Sequence, residues 1–355
     1  MSIVMTGGGT GGHLVIIKAV KEQLVKNGEQ QAVSSEETQS EEASLVYIGS
    51  TMGQDRKWFG EDSDFEAKYF LETRGVVNQG AMGKVKSLLM LAKAIRQAMK
   101  LLDKHNASVV FSVGGFSSAA TSIAAKLKGI PLVIHEQNAA LGSLNRLLKP
   151  YAAAFISSYL EESPIHAYPI KQIFFDNAHI RKELKTIIFL GGSQGAKAIN
   201  ALALSLAPEI HKKGIQIIHQ AGEKNIDEVR EAYKDLRIEA EVFGFTTKLA
   251  EYMNEADFAI ARAGASTLWE LSATGLPTLY IPYPYAAGDH QYYNAKFFVD
   301  RGLAWVMREN EIDEEKVLSL LNENLEEKSR GLIAAVERDG SEQIAVLLKQ
   351  AASGK

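Results

Sequence analysis

Short runs of apolar, often β-branched residues alternate with longer stretches of helical period along most of the chain. In the first half, the strand-like runs read SIVM, ASLVYIG, ASVVFSVGG, IPLVIHE and AAAFISS, while SSAATSIAAKLKG has helical period, ends on Gly129 and is followed by Pro131. Runs that are apolar throughout are typical of strands buried on both faces of a parallel sheet. The alternation therefore predicts an α/β fold built on a doubly wound sheet.

The same order of strand, glycine loop and helix begins again at LKTIIFLGGSQGAKAIN, and five further strand-like runs follow it. We therefore predict two Rossmann-like domains, residues 1–165 and 166–336, joined near SPIHAYPIKQ, where two prolines interrupt the periodicity. The terminal helical segment, residues 337–355, is long enough to return to the first domain. Residues 29–43 hold five Glu and no Lys or Arg, so we expect a solvated loop there.

Composition limits the class of protein. The chain has 355 residues, of which 46% are hydrophobic and 23% charged, as in an ordinary soluble protein of two domains. A net charge of -4 gives no general attraction to nucleic acid, and the lack of cysteine excludes disulfides, thiolate metal sites and a cysteine nucleophile. The start resembles no signal peptide, and no apolar run reaches the roughly 18 residues of a membrane span, so we expect a cytoplasmic protein.

The first glycine loop lies in MTGGGTGGHL, where Gly7, Gly9 and Gly12 satisfy G-x-G-x-x-G between a strand and a helix. Such a loop directs backbone N–H groups at an anion, although a tight turn that packs the helix on the sheet is the alternative. A dinucleotide site also needs an acid at the end of the second strand, and SLVYIGS ends without one. His13 lies in the first helical turn, where the helix dipole favours neutral imidazole; it is a candidate base or substrate contact, or else a capping residue.

The second half carries a second glycine loop, GGSQGA, and the stretch RAGASTLWE. Two such loops, one in each domain, suggest a diphosphate ligand held between the domains. Small residues at a helix start suit a phosphate, whereas Glu270, one turn further on, suits the hydroxyls of a ribose diol. Gln291 and Asn294 are three residues apart on one helix face and suit sugar hydroxyls. No Asp-x-Asp pair stands at a plausible strand end, which fits a metal-free site, and we expect no cofactor.

Six motifs in order, GGGTGGH, GGFSS, HEQN, GGSQGA, RAGASTLWE and GDHQYYNA, resemble the MurG family of N-acetylglucosamine transferases over nearly the whole chain. The resemblance implies a GT-B fold, with two Rossmann-like domains facing a central cleft, and a metal-free inverting transfer. The donor would be UDP-N-acetylglucosamine (UDP-GlcNAc). The acceptor would be the N-acetylmuramyl sugar of lipid I, and the product lipid II of peptidoglycan, which links the protein to cell shape and cell division.

The resemblance also assigns roles to residues of this sequence. Ser193 and the GASTLWE helix start would hold the diphosphate, Glu270 the ribose, and the backbone near Phe245 the uracil. Loops of the first half would close over the sugar and diphosphate. The implied donor-binding residues are Thr10, Gly11, Gly12, Asn138, Ser193, Thr246, Ala265, Ser266, Thr267, Glu270, Gln291 and Asn294. The chain departs from the family at AYPIKQ, where Lys171 stands in place of a donor-binding arginine, and lysine lacks the bidentate fork.

The expected reaction is attack of the acceptor 4-hydroxyl on the anomeric carbon, with His13 as the candidate general base. Three other functions remain open at the level of sequence: a UDP-N-acetylglucosamine 2-epimerase, a diacylglycerol glycosyltransferase and a non-catalytic nucleotide-binding subunit.

A polyprenyl-linked acceptor would require binding to the cytoplasmic face of the inner membrane as a peripheral protein. Residues 76–104 mix apolar residues with cations, as an interfacial segment on an anionic leaflet does. An ordinary amphipathic helix that covers the sheet is the alternative. The proposed membrane patch consists of Val76, Val77, Met82, Lys84, Val85 and Lys86.

Overall fold

The computed structural model describes residues 1–9, 11–34, 43–73, 81–192 and 195–354, without the side chains of residues 27–34 and 81–86. The chain forms two compact units, Met1–Ile170 with Asp339–Lys355, and Lys171–Arg338. The junctions lie at 170/171 and 338/339, where the sequence suggested 165/166 and 336/337. Among the described residues, no helix has the length and apolar character needed to cross a membrane.

Unit 1 is a six-stranded parallel sheet in the order β3-β2-β1-β4-β5-β6. Its strands are β1 (Ser2–Thr6), β2 (Ser44–Ser50), β3 (Ala67–Leu71), β4 (Val109–Ser112), β5 (Leu132–His135) and β6 (Ala154–Ile156). Its helices are α1 (Gly11–Ser34), α2 (Asp55–Phe59), α3 (Ala81–Lys104), α4 (Ala119–Lys128) and α5 (Ser143–Leu148). The terminal helix, α14 (Gly340–Ala352), belongs to this unit and packs against α1.

Unit 2 repeats the plan with the strand order β12-β11-β10-β7-β8-β9. Its strands are β7 (Thr186–Leu190), β8 (Gln216–Gln220), β9 (Glu241–Phe243), β10 (Phe258–Ala261), β11 (Thr278–Tyr280) and β12 (Trp305–Val306). Its helices are α6 (Gln172–Asp176), α7 (Lys197–Lys212), α8 (Ile226–Asp235), α9 (Leu249–Glu255), α10 (Ala265–Ala273), α11 (His290–Val299), α12 (Glu314–Leu320) and α13 (Leu325–Ala335).

The prediction of two Rossmann-like domains is confirmed. In each sheet the first and fourth strands of the unit lie side by side, so the direction of the strand order reverses between them. Ligands of open α/β sheets bind outside the carboxyl ends of the strands at this switch point. Within unit 1 that point lies between β1 and β4, and within unit 2 between β7 and β10.

The Glu-rich segment differs from its prediction in part. We expected a loop from residue 29, whereas α1 continues to Ser34. The reason is local, because Glu, Gln and Ala are good helix formers and no Gly or Pro interrupts EQQAVS. Residues 35–42 lie outside the described part of the chain.

Candidate active site

The first glycine loop follows β1 at the switch point of unit 1. Neighbouring protein atoms leave no room for a side chain at its first three glycines. A Cβ on Gly7 would lie 2.3 Å from Val113 Cγ2, one on Gly8 2.5 Å from Asp55 Oδ1, and one on Gly9 2.5 Å from the Phe116 ring. All three also have positive φ, which disfavours any side chain. Close packing against the protein is therefore a sufficient reason for glycine at residues 7–9, and anion binding by this loop stays a prediction. Gly11 has room for a methyl group, since its nearest atom lies at 3.6 Å.

Asp55 holds this loop in place through hydrogen bonds. It has no exposed surface, and its Oδ2 accepts a hydrogen bond from Gly9 N at 2.8 Å. Its Oδ1 accepts from Ser50 N and from the Tyr47 hydroxyl, both at 3.0 Å. No acid stands at the end of β2 itself, because Asp55 lies five residues further along the chain. It is turned beneath the loop instead of toward a ribose.

His13 lies in the first turn of α1, half-buried, and Thr10 lies outside the described residues. The Gln137 side-chain amide nitrogen lies 3.2 Å from its Nε2 and 3.4 Å from its Nδ1. Beneath them, His135 is fully buried; desolvation, and then the charge of His13, lower its pKa to about 3. His135 is therefore neutral at all physiological pH values. The structure thus brings the GGGTGGH and HEQN motifs together.

Glu136 organises the loop that carries Asn138. Its carboxylate accepts hydrogen bonds from Asn138 N at 3.1 Å, Gly142 N at 2.9 Å and the Asn145 side chain at 3.0 Å. Burial nevertheless raises its pKa, and these hydrogen bonds act against that rise. Asn138 itself is half-buried at the carboxyl end of β5. Asn138, Gly11, Gly12 and His13 therefore all lie at the carboxyl edge of the first sheet.

In unit 2 the loop after β7 contains two glycines, Gly191 and Gly195, that are closely enclosed by neighbouring atoms, whereas Gly192 has open space. A Cβ on Gly191 would meet Ala196 N at 2.8 Å, and one on Gly195 would meet the Asn225 amide nitrogen at 2.4 Å. Ser193 lies outside the described residues. Beneath the loop, the Asn200 Oδ1 accepts a hydrogen bond from Nε2 of buried His219 at 3.1 Å, and the Asn200 amide nitrogen donates to Ala221 O at 3.1 Å. These contacts fix the start of α7 beside the switch point.

Helix α10 begins directly at that switch point. Gly264 precedes it with extended backbone and open space on its Cα, Ala265 is buried, and Ser266 and Thr267 are partly exposed. Glu270, one turn in, is only 8% exposed, and the described residues provide no hydrogen-bond donor to its carboxylate. Desolvation raises its pKa to about 7, while the positive charge of Lys171 lowers it. Glu270 is therefore a buried residue of α10 and not one on its exposed face.

Helix α11 places the two amide residues differently from each other. Gln291 is partly exposed and accepts a hydrogen bond from Tyr283 N at 2.9 Å. Asn294 has no exposed surface and donates to Ala263 O at 3.1 Å, so it fixes the loop before α10. In this structure Asn294 is thus not an open surface amide beside Gln291, as its spacing suggested. Thr246 is partly exposed after β9, and its hydroxyl accepts from Lys248 N at 2.9 Å.

Two arginines that the sequence analysis did not single out brace the loop between β11 and α11. Arg262 donates to the carbonyls of Ile281 and Pro282 at 3.0 and 3.1 Å and pairs with Glu309. Arg308 pairs with Asp289 at 2.6 Å. Asp289 has a left-handed backbone, with φ of 55°. The Gly-Asp pair in the sequence indicates a turn but not this conformation.

Known proteins match both halves of the chain. The glycosyltransferase family 28 N-terminal domain matches residues 3–157, and the family 28 C-terminal domain matches residues 186–350. A transferase of Sulfurovum sp. strain NBC37-1 is 70% identical over 98% of both chains. It is a UDP-N-acetylglucosamine--N-acetylmuramyl-(pentapeptide) pyrophosphoryl-undecaprenol N-acetylglucosamine transferase, as is a Wolinella succinogenes protein that is 50% identical over 97% of this chain and 98% of its own.

Solved structures agree in fold. Acinetobacter baumannii MurG superposes with a TM-score of 0.79 at 25% identity, covering 98% of this chain and 99% of its own. A UDP-GlcNAc 2-epimerase of Neisseria meningitidis superposes with a TM-score of 0.62 at 13% identity over both whole chains, which shows a shared fold alone.

Proposed function

The chain belongs to glycosyltransferase family 28, and on that premise we propose how its residues perform the transfer. The enzyme is a UDP-GlcNAc-dependent N-acetylglucosaminyltransferase that converts lipid I into lipid II. The observation that carries this function is 70% identity over 98% of the chain to a transferase with that activity. The supply of lipid II would in turn connect the enzyme to cell shape and division.

The donor half of the reaction falls to unit 2. The partly exposed Ser266 and Thr267 at the start of α10 provide hydroxyls and backbone N–H groups for the diphosphate, with Ser193 of the preceding glycine loop. Glu270 accepts the two hydroxyls of the ribose, which would provide the hydrogen bonds that its carboxylate lacks among described residues. Gln291 forms hydrogen bonds with the GlcNAc hydroxyls, whereas Asn294 contributes indirectly, by holding the loop at Ala263 in place.

The chemical step requires one proton transfer and one displaced diphosphate. The acceptor 4-hydroxyl attacks the anomeric carbon, the bond from that carbon to the diphosphate oxygen breaks, and the configuration inverts. His13 takes the hydroxyl proton; its position at a helix N-terminus favours neutral imidazole, which is the form that can accept a proton. The charge that develops on UDP is stabilised by backbone N–H groups at the start of α10.

One assay separates this reaction from its rivals. UDP release from UDP-GlcNAc is expected only when a soluble lipid I analogue is present, and the product should carry a β-linked sugar. Release of UDP without acceptor, or with formation of the 2-epimer, would support the epimerase. Transfer to diacylglycerol but not to the lipid I analogue would support the glycolipid synthase.

We also propose a peripheral position on the cytoplasmic face of the cell membrane. The residues expected to dock there lie outside the described side chains or, for Val76 and Val77, outside the described residues altogether. The next turn of α3 supports the proposal, because Leu88 and Leu89 are 55% and 68% exposed and the cations Lys93 and Arg96 follow on the exposed side. Apolar side chains beside cations favour an anionic interface.

The membrane proposal is tested with Leu88→Glu combined with Leu89→Glu. Binding to vesicles that contain anionic lipid, and activity on a bilayer-embedded acceptor, should fall, while activity on a soluble acceptor stays near normal. The matched control is Leu127→Glu, another exposed leucine of unit 1. Equal losses on both acceptors would refute docking through this face.

A further inference from the structure

A buried glutamine contacts the imidazole that we assign as the base. Gln137 lies two residues beyond β5 and is only 8% exposed. Its amide nitrogen lies 3.2 Å from Nε2 and 3.4 Å from Nδ1 of His13. A hydrogen bond along the lone pair of one ring nitrogen leaves the other nitrogen on the far side of the ring. The near-equal distances therefore place the amide across the imidazole, committed to neither nitrogen, as contacts of catalytic groups often are before the substrate binds.

The carbonyl oxygen of the same amide lacks a donor. Oε1 of Gln137 is buried, and no described residue donates a hydrogen bond to it. A buried acceptor without a donor costs free energy, so a partner for this oxygen would stabilise the site. The terminal torsion of a glutamine is broad and roughly two-fold. Rotation about it places Oε1 where the amide nitrogen now lies, within hydrogen-bond distance of His13.

The neighbours of Gln137 in the chain carry no charge that could replace it as the partner of His13. His135 is fully buried, no described residue hydrogen-bonds to either of its ring nitrogens, and its pKa is lowered to about 3, so it is neutral. The Glu136 carboxylate is occupied by backbone N–H groups of its own loop. Of these three consecutive residues, Gln137 is therefore the one that can bind an imidazole N–H without adding a charge.

We propose that Gln137 is a positioning residue for His13, whose amide oxygen accepts a hydrogen bond from one imidazole N–H and so keeps the lone pair of the other nitrogen directed at the acceptor hydroxyl. Neutral imidazole has one N–H and one lone pair, and only the lone pair can take a proton. The 4-hydroxyl proton passes to that nitrogen, the hydroxyl oxygen bonds to the anomeric carbon, and UDP leaves with the electrons of the broken bond. Oε1 continues to bind the imidazolium. The inference rests on the proposed function, which makes His13 the base.

The first variant is Gln137→Met, which keeps the length of the side chain and removes its hydrogen bonds. With a soluble lipid I analogue at saturating substrates, kcat should fall about 10- to 100-fold while the KM for UDP-GlcNAc stays unchanged. This loss is smaller than the roughly two to four orders of magnitude expected for His13→Ala. The matched control is Gln97→Met, at an exposed glutamine of α3 in the same unit, which should leave kcat unchanged. An unchanged kcat in Gln137→Met would overturn the proposal.

The double variant separates positioning from a merely structural role. If Gln137 acts through His13, Gln137→Met adds nothing to His13→Ala, because residues that act as a unit are not additive. A further loss of about tenfold in the double variant would show an independent role and refute the proposal. Near-normal kcat in His13→Ala would remove the base assignment and this inference with it. A slow His13→Ala beside a normal Gln137→Met would overturn this inference alone.

The pH profile of kcat gives a readout that loss of packing would not move. Gln137→Glu places a carboxylate against His13, and an opposite charge at that distance raises the pKa of an imidazole by about one unit or more. Because the base must be neutral, the acidic limb of the profile should move to higher pH by the same amount. Gln137→Met should not produce this shift. A limb that stays in place in Gln137→Glu would contradict the contact between the two side chains.

A measurement on the wild type keeps the test decisive if the Gln137 variants do not fold. The rings of the eight histidines are labelled with 15N, and the His13 resonances are those absent from His13→Ala. With UDP bound, and at a pH where His13 is neutral, one of its nitrogens should carry the proton and the other should not. Chemical shifts averaged between the two nitrogens would mean that no partner selects the tautomer, and the proposal would fail.

Discussion

Replacing Glu270 by glutamine should stabilise the free enzyme and weaken donor binding at the same time. Glu270 is buried, receives no hydrogen bond from a described residue, and has a pKa raised by desolvation to about 7 from its usual 4.5. The folded state therefore binds the proton more tightly than the unfolded state. Stability that is present below pH 4.5 is lost as the pH rises through 7.

The size of the effect follows from the pKa. One pKa unit corresponds to about 1.4 kcal/mol, so ionising this carboxylate costs the folded protein about 3 kcal/mol above pH 7. Glutamine has nearly the same shape and does not ionise. Glu270→Gln should therefore raise the free energy of unfolding by up to about 3 kcal/mol at pH 8 and change it little at pH 4.5.

Donor binding should move in the opposite direction. An ionised carboxylate can accept both ribose hydroxyls, and losing a charge-assisted hydrogen bond costs about 1.5–3 kcal/mol, or roughly a 10- to 150-fold weaker affinity. In the wild type the affinity for UDP-GlcNAc should fall as the pH decreases from 8 to 5.5, because Glu270 becomes protonated. In the variant it should be nearly independent of pH.

Urea unfolding and calorimetric titration with UDP-GlcNAc, each at several pH values between 4.5 and 8, measure the two effects. Glu251→Gln, an exposed glutamate of α9, serves as the control and should change neither quantity. A stability change that does not vary with pH would contradict the buried, ionisable carboxylate. An unchanged donor affinity at pH 8 would remove Glu270 from the ribose site.

Three further predictions concern other residues of the two units. His13→Ala should lower kcat by roughly two to four orders of magnitude while UDP-GlcNAc binding is retained; near-normal kcat at saturating substrates would exclude it as the base. Lys171→Met should raise the pKa of Glu270 further, because the Lys171 charge lowers it, so the pH below which donor affinity falls should increase. Lys171→Arg should leave that pH unchanged, and a titration of affinity distinguishes the two. Arg181 is buried and donates to the carbonyls of Met253 and Ala256 at the end of α9 and of Thr274 after α10. Arg181→Met should therefore lower the free energy of unfolding in urea by about 3 kcal/mol or more, and a cost under about 0.5 kcal/mol, typical of a surface substitution, would refute its role.

The repeating pattern of strands and helices could be predicted from the sequence because it depends on local periodicity. The run Ile3-Val4-Met5 is apolar throughout, and a strand of that kind is stable only with both faces covered, as the structure has it. Motif order identified the family for a similar reason, because each motif is a short, contiguous segment. The same local signals also predicted that a helix N-terminus follows the first strand.

The contents of the site depended on contacts between distant parts of the chain. Asp55 is 46 residues from Gly9, and no local pattern states that its carboxylate turns beneath the loop. Contacts of this kind also explain the glycines of the loop, because the lack of side chains makes room for Asp55, Val113 and Phe116.

Burial separated residues that the sequence treated alike. Gln291 and Asn294 share a helix face by spacing, yet only the tertiary structure decides that Asn294 is enclosed while Gln291 remains partly exposed. Glu270 could equally have been a solvated helix residue until the packing of α10 enclosed it and raised its pKa. The sequence determined which chemical groups lie at the carboxyl ends of the strands, because periodicity and motif order are properties of the chain. Their exposure, partners and charge states were decided only by the tertiary structure, because desolvation and hydrogen bonding depend on neighbours that folding brings from elsewhere in the sequence.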